Sequence, residues 1–192
     1  MTNLDNQLFY SINGLAGKNT LLDTFFILVA KYSPIFLLLF FLIRWFFSKE
    51  IIETRKNLFI AFFSGCVTIV LGRFAGLFYG HTQPFTTLQN VHKLINHPID
   101  NSFPSDHTLL FFGTLTVLFL SSKNVNRYWF LLVAALVGLS RIWVGVHYPI
   151  DVLFGALIGI IGAYLSIWIS QRASIFRTLN NKISHLFLPK NK

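Results

Sequence analysis

The chain has 192 residues, 54% of them hydrophobic and only 12% charged, with 22 phenylalanines and a mean hydropathy of +0.59. That composition excludes an ordinary soluble domain, because apolar runs of about 20 residues read as membrane spans. The net charge of +9 belongs to membrane topology rather than to nucleic acid, since no folded soluble domain remains to carry a basic face, and a single cysteine, Cys66, excludes an intrachain disulfide.

The expected fold is all-α: a polytopic membrane bundle of about five transmembrane helices, plus a short N-terminal interfacial helix. One integral-membrane domain is expected over 1–192, with an interfacial segment at 1–20 and a basic cytoplasmic tail at 171–192. In the first segment Leu8, Phe9, Ile12 and Leu15 recur at helical spacing, as for a helix lying on the membrane surface. Gly14, Gly17 and Lys18-Asn19 end it, and the absence of a basic n-region argues against a secretory signal.

The first span runs from about Leu22 to Phe47, with Ser33-Pro34 placed to kink it; Lys31 within it pairs with a neighbour or snorkels. A polar, basic loop (48–57) follows, then a second span from about Leu58 to Tyr79, with Arg73 two turns from its end. The loop at 80–103 holds His81, His92 and His97. Their spacing matches no helical ligand pair and no Cys or Glu accompanies them, so neither a metal nor another cofactor is expected. Next, Pro104-Ser105-Asp106-His107 opens a span to about Leu120. A capping residue followed by an acid is a helix start, and the free N–H groups of such an end favour an anion. After a basic turn (Lys123, Arg127) the fourth span covers about Tyr128 to Val146. The fifth, Ile150 to Ser170, carries Gly155 and Gly159, which permit close helix packing. The amphipathic tail (Ile175, Phe176, Leu179, Ile183, Leu186) suits the membrane surface.

Ser140 to Asp151 is the stretch that asks for chemistry. It puts Arg141, His147 and Asp151 into an otherwise apolar run, where each charge near mid-bilayer costs roughly 2.5–3.5 kcal/mol. Pro149 suits the first turn of a helix, which places Asp151 in that turn and His147 just before it. A carboxylate on one imidazole nitrogen fixes the tautomer and leaves the other free to attack or to transfer a proton.

Five spans fix the sidedness. One side receives Arg44, Lys49, Arg55, Lys56, Lys123, Arg127, Arg172, Arg177, Lys182, Lys190 and Lys192, eleven of the sixteen basic residues, and is therefore cytoplasmic. The 32 residues between His107 and Ser140 make one hairpin, so His107, Arg141, His147 and Asp151 return to the opposite, outer face, together with Arg73. Two imidazoles, two guanidinium groups and a helix N-terminus suit a phosphate ester: donors hold its oxygens while one histidine attacks and the other protonates the leaving group.

Pro104-Ser105-Asp106-His107, and Ser140-Arg141 followed by His147 and Asp151, resemble the second and third motifs of the type 2 phosphatidic acid phosphatase superfamily. Asp106 in place of the usual glycine, with Asn101-Ser102-Phe103 and Arg141-Ile142-Trp143, is most similar to bacterial undecaprenyl-pyrophosphate phosphatases of the bacitracin-resistance type. The resemblance implies a metal-free hydrolase. In it His147 is the nucleophile, Asp151 its orienting partner and His107 the general acid, while Arg141 and Ser105 hold the phosphate. It implies an isoprenoid lipid pyrophosphate substrate and the lipid bilayer as surroundings, with no obligate protein partner. The first motif departs from the family's pattern of a lysine, six residues and Arg-Pro. Its counterparts here are Arg73 and Gln83-Pro84, with Lys93 or Lys31 available to compensate, and Asp106 beside a phosphate needs a reason. The rival readings are a broad lipid phosphatase acting on phosphatidylglycerophosphate or phosphatidic acid, and a non-enzymatic transporter or bacitracin-immunity protein. Transporters of that kind commonly show internal repeats, and none is visible.

Overall fold

The computed structural model describes residues 3–184. Leu186, Lys190 and Lys192 of the expected tail lie outside the described residues. In chain order the elements are α1 (Asn3–Asn13), α2 (Thr20–Phe47), α3 (Ile51–Phe78), the one-turn α4 (Pro84–Thr87), α5 (Asp106–Ser121), α6 (Tyr128–Trp143), α7 (Pro149–Arg172) and α8 (Ser174–Ser184). A single 3-10 turn, Val125–Arg127, leads straight into α6.

Among the described residues four helices are long and apolar enough to cross a membrane: α2, α3, α7, and α6 with its preceding turn. The fifth, α5, has 16 residues. At 1.5 Å per residue it is about 24 Å long, short of the roughly 30 Å hydrocarbon layer. It can be short because it is the innermost helix, packed against α3, α6 and α7. Its N-terminus therefore opens inside the protein rather than in lipid, and the site lies there.

Two boundaries differ from expectation. The basic stretch 48–57 is not a loop, since α3 already begins at Ile51. Arg55 is buried there, its Nε donating to the Trp45 carbonyl at 3.1 Å and Nη1 to the Ser184 carbonyl at 3.3 Å. Its stem and charge are satisfied within the bundle, so the helix continues through it. Lys18-Asn19 does not merely end the first helix: the Asn19 side chain caps α2, accepting from the N–H groups of Leu21 (3.0 Å) and Leu22 (3.2 Å). α2 stays helical through Ser33 and Pro34. Lys31 sits exposed with its ammonium over the Tyr32 ring.

Small residues draw the helices together, as they must where lipid supplies no hydrophobic drive between apolar surfaces. α3 turns Ala61, Ser64, Gly65, Thr68 and Gly72 inward. Ser64 donates to the Gly113 carbonyl of α5 at 2.8 Å and Thr68 to that of Leu109 at 3.2 Å. On α7, a Cβ at Gly159 would stand 2.7 Å from the Phe112 Cβ and 3.0 Å from the Gly113 nitrogen, both on α5. α8 docks its Phe176 against Phe59 and Phe63 of α3, while Ile175 and Leu179 stay exposed.

Gly159→Ala therefore wedges α5 from α7. The expected cost is about 1–3 kcal/mol, the usual range for overpacking. It should appear as a lower thermal melting point of detergent-solubilised protein, and a wild-type melting point would refute the close packing.

Candidate active site

His147 lies in the tight turn between α6 and α7, where Gly145 adopts φ +82°. A Cβ there would also stand 2.7 Å from the His92 carbonyl oxygen, so the turn closes against the loop that follows α3. That loop is tied down in turn. The Asn101 side chain donates to the Gly76 carbonyl of α3 at 3.1 Å and accepts from the N–H groups of His81 (3.2 Å) and Phe103 (3.1 Å). α1 props the turn: Asn13 donates to the Trp143 carbonyl at 2.8 Å, and Asp5 accepts from the N–H of Ile150 at 3.0 Å in the first turn of α7. α1 is thus part of the site's support, with Asp5, Phe9 and Asn13 buried, while Leu8 and Leu15 are exposed. Burial holds the Asp5 carboxyl above its usual range, against the Ile150 hydrogen bond that favours its charge.

Asp151 has no solvent exposure. Its Oδ2 accepts from Ser102 Oγ at 2.7 Å and from the Tyr148 N–H at 2.9 Å, the backward reach of a capping acid. His81 Nε2 stands 2.9 Å from Oδ1, within ion-pair distance but off the line of a good hydrogen bond. The expected direct grip of Asp151 on His147 is looser than the sequence implies: Oδ2 is 3.6 Å from Nδ1. The Ser102 carbonyl is the nearer partner, 2.9 Å from Nδ1, and Ser102 Oγ stands 3.2 Å away on the same side. A carbonyl only accepts, so Nδ1 carries the proton and donates, and Nε2 keeps its lone pair. Burial pushes the His147 imidazole below its ordinary value, so it is neutral at pH 7. A neutral ring held in that tautomer is a nucleophile.

One cavity of about 340 Å³ is lined by Arg73, His97, Asp106, His107, Arg141 and His147. It brings together residues 73 to 147, as the hairpin argument requires, and it sits where α3 ends and α5 begins. Arg141 is 2% exposed and donates from Nη1 to the Ala30 carbonyl of α2 at 2.9 Å. Arg73 and Asp106 face each other at 2.6 Å, Arg73 largely and Asp106 partly exposed, which gives Asp106 its reason: it balances Arg73 at the mouth.

Three placements differ from the sequence reading. Ser105 occupies the N-cap of α5 but caps nothing with its side chain. It is fully buried outside the cavity lining, its Oγ accepting from Thr108 Oγ1 at 3.0 Å and its N–H bonded to the Asp151 carbonyl at 3.2 Å. Its N–H is thus engaged by α7 and its hydroxyl oxygen by Thr108 of α5, and the first-turn N–H groups of α5 lie nearer the cavity. Gln83 does not line the cavity either; it is buried and paired through both ends of its amide with Asp100, which does. Lys93 and Lys31 lie outside the lining as well. Lys93 covers the Phe85 ring and donates to the His97 carbonyl at 3.2 Å, holding the loop that brings His97 to 6.0 Å, ring to ring, from His147.

Ser102, His81 and His97 belong to the site as well, beyond the residues that the sequence motifs point to. The neighbouring Asn101-Ser102-Phe103 motif was the one available signal for Ser102. Among the described residues no cluster of three metal-ligating side chains occurs.

Known proteins resemble this chain over most of its length. Residues 55–175 match the family described as the PAP2 superfamily. The chain is 38% identical to the Bacillus licheniformis "bacitracin transport permease protein BcrC", over 98% of this chain and 94% of that one. It is 34% identical to the Bacillus subtilis undecaprenyl-diphosphatase BcrC over 84% and 82% of the two chains. The crystal structure of Aquifex aeolicus LpxE superposes with a TM-score of 0.66 at 34% identity, covering 87% of this chain and 96% of that one.

Ser102→Ala removes a hydrogen bond to a buried carboxylate, worth about 1.5–3 kcal/mol. A matching fall in thermal stability, with reduced turnover, is expected; an unchanged melting point would show that the bond carries no load.

Proposed function

This chain belongs to the PAP2 superfamily, and from that premise we propose that it removes the terminal phosphate of an isoprenoid lipid pyrophosphate, in the manner named for its Bacillus subtilis relative. One observation carries the reading: His107 at the start of α5, Arg141 near the end of α6 and His147 beyond it line a single cavity. His147 Nε2 attacks the terminal phosphorus and forms an N–P bond as the P–O bond to the lipid phosphate breaks. His107 gives its proton to that leaving oxygen. His107 then takes a proton from water, whose oxygen attacks the phosphohistidine, releasing inorganic phosphate and restoring His147. Arg141, Arg73 and the first-turn N–H groups of α5 hold the phosphate oxygens throughout. No step requires a metal.

The lipid class is supported by a second cavity. An apolar cleft of about 470 Å³ runs between α2, α3 and α5, its walls including Phe62, Cys66, Ile69 and Leu110. It shares two helices with the polar cavity, and its residues begin about one turn deeper along them. A phosphate in the first can therefore trail a hydrocarbon chain into the second.

On this reading the multi-pass protein carries the site at the outer face, with the C-terminus cytoplasmic; what supports it is the bias of Lys and Arg toward the opposite end of the bundle. A single membrane domain over 1–192 completes the reading. The name of the Bacillus licheniformis relative favours transport as the alternative. A transporter, however, has no need of a neutral, buried imidazole fixed in one tautomer.

Purified protein in detergent with EDTA is expected to release phosphate from undecaprenyl pyrophosphate faster than from phosphatidic acid or phosphatidylglycerophosphate. His147→Ala should abolish release, and His107→Ala should reduce it by about 10²–10⁴, the usual range for a general acid. Dependence on metal, or near-wild-type turnover in either variant, would defeat the mechanism. Cys66→Trp fills the apolar cleft. It should lower kcat/KM for undecaprenyl pyrophosphate about tenfold, equivalent to about 1.4 kcal/mol, and leave isopentenyl pyrophosphate, whose five-carbon chain is too short to reach Cys66, within about twofold. Equal losses on both would remove the cleft from substrate binding.

A further inference from the structure

We infer that Pro34 is a positioning residue for Arg141, because it leaves the Ala30 carbonyl of α2 without a helical partner and so makes that oxygen the anchor of the guanidinium. In an α-helix the N–H of residue 34 would donate to the carbonyl of residue 30. Proline has no N–H to give. Ala30 is fully buried, and an unmet carbonyl there costs about 1–3 kcal/mol, with no water at membrane depth to relieve it. Arg141 Nη1, 111 residues away, fills it at 2.9 Å.

The choice of partner suits the task. Among the described residues no carboxylate lies within ion-pair distance of Arg141, and its buried Nε has no protein partner. A carboxylate anchor would orient the guanidinium but cancel the charge meant for phosphate. A backbone carbonyl orients it and leaves the full charge and the remaining donors free. The same face of α2 fixes α6 one to two turns earlier: Trp143 Nε1 donates to Asp23 at 2.9 Å and its ring stacks on Phe26 at 4.4 Å. The Ala30 oxygen thus lies on a face of α2 that is held against α6 at more than one point.

This inference rests on Arg141 acting as a phosphate ligand. Pro34→Ala restores an N–H that competes with Arg141 for the Ala30 oxygen while relieving a helix-interior proline, about 3 kcal/mol less favourable than alanine. The expected result is a melting point equal to or above wild type, with inhibition constants for inorganic phosphate and orthovanadate raised about three- to tenfold. Both probes lack a tail, so the change Pro34→Ala makes in the apolar cleft does not enter. Ile35→Ala, on the same turn but facing outward, should inhibit as wild type. In an Arg141→Lys background, Pro34→Ala should add less than about twofold, because the coupled partner has changed. If Pro34→Ala does not accumulate, Pro34→Gly supplies the same N–H and carries the same expectation. Unchanged inhibition constants, an equal shift in Ile35→Ala, or the same fold loss in both backgrounds would overturn the inference. Wild-type protein without phosphatase activity would instead defeat the reading of the site itself.

Discussion

A carboxylate fully withdrawn from solvent, at the head of a membrane helix, is the constraint that the site end of this bundle is built to meet. Asp151 charged and unpartnered would cost several kcal/mol. Its Oδ2 is met by the Ser102 hydroxyl and the Tyr148 N–H, and the His81 ring stands within ion-pair distance of Oδ1, so the loop after α3 and the turn before α7 converge on one side chain. Each partner needs its own support: Asn101 pins the loop to α3, and α1 closes beneath α7 through Asp5. His147 then inherits its orientation, since the Ser102 residue that satisfies Asp151 also accepts the hydrogen bond of the imidazole N–H through its carbonyl.

Arg141 poses the complementary problem. A cation meant for an arriving anion has to be held without being neutralised. A carbonyl released by a helix proline meets that need, whereas Arg73, exposed at the mouth, is paired to Asp106. The two arginines thus stand in different electrostatic conditions, one buried on a dipole and one at the surface on a charge that phosphate can displace.

The short central helix joins these features to the membrane. Because α5 stops below the length of a full span, its N-terminal N–H groups open into an internal cavity with His107 in the first turn. Its flanks carry on into the apolar cleft, which lets one helix serve both a charged headgroup and its hydrocarbon chain.

Apolar runs, basic loops and hairpin parity, all local or countable, determined the all-helical membrane bundle and the convergence of His107, Arg141, His147 and Asp151 on one side. Bilayer physics makes such patterns strong enough to read without a fold. Tertiary structure alone decided which atoms satisfy them. Ser105 turned inward because Thr108 and the Asp151 carbonyl claimed its hydrogen bonds, and Gln83 became a brace for Asp100. The 48–57 segment became helix because Arg55 found buried carbonyls. The Ala30 oxygen carries no side-chain identity at all, so no residue pattern could name it as the anchor of Arg141. Pairings across 49 to 111 positions, many through backbone atoms, depend on how helices approach one another, and that is set by packing.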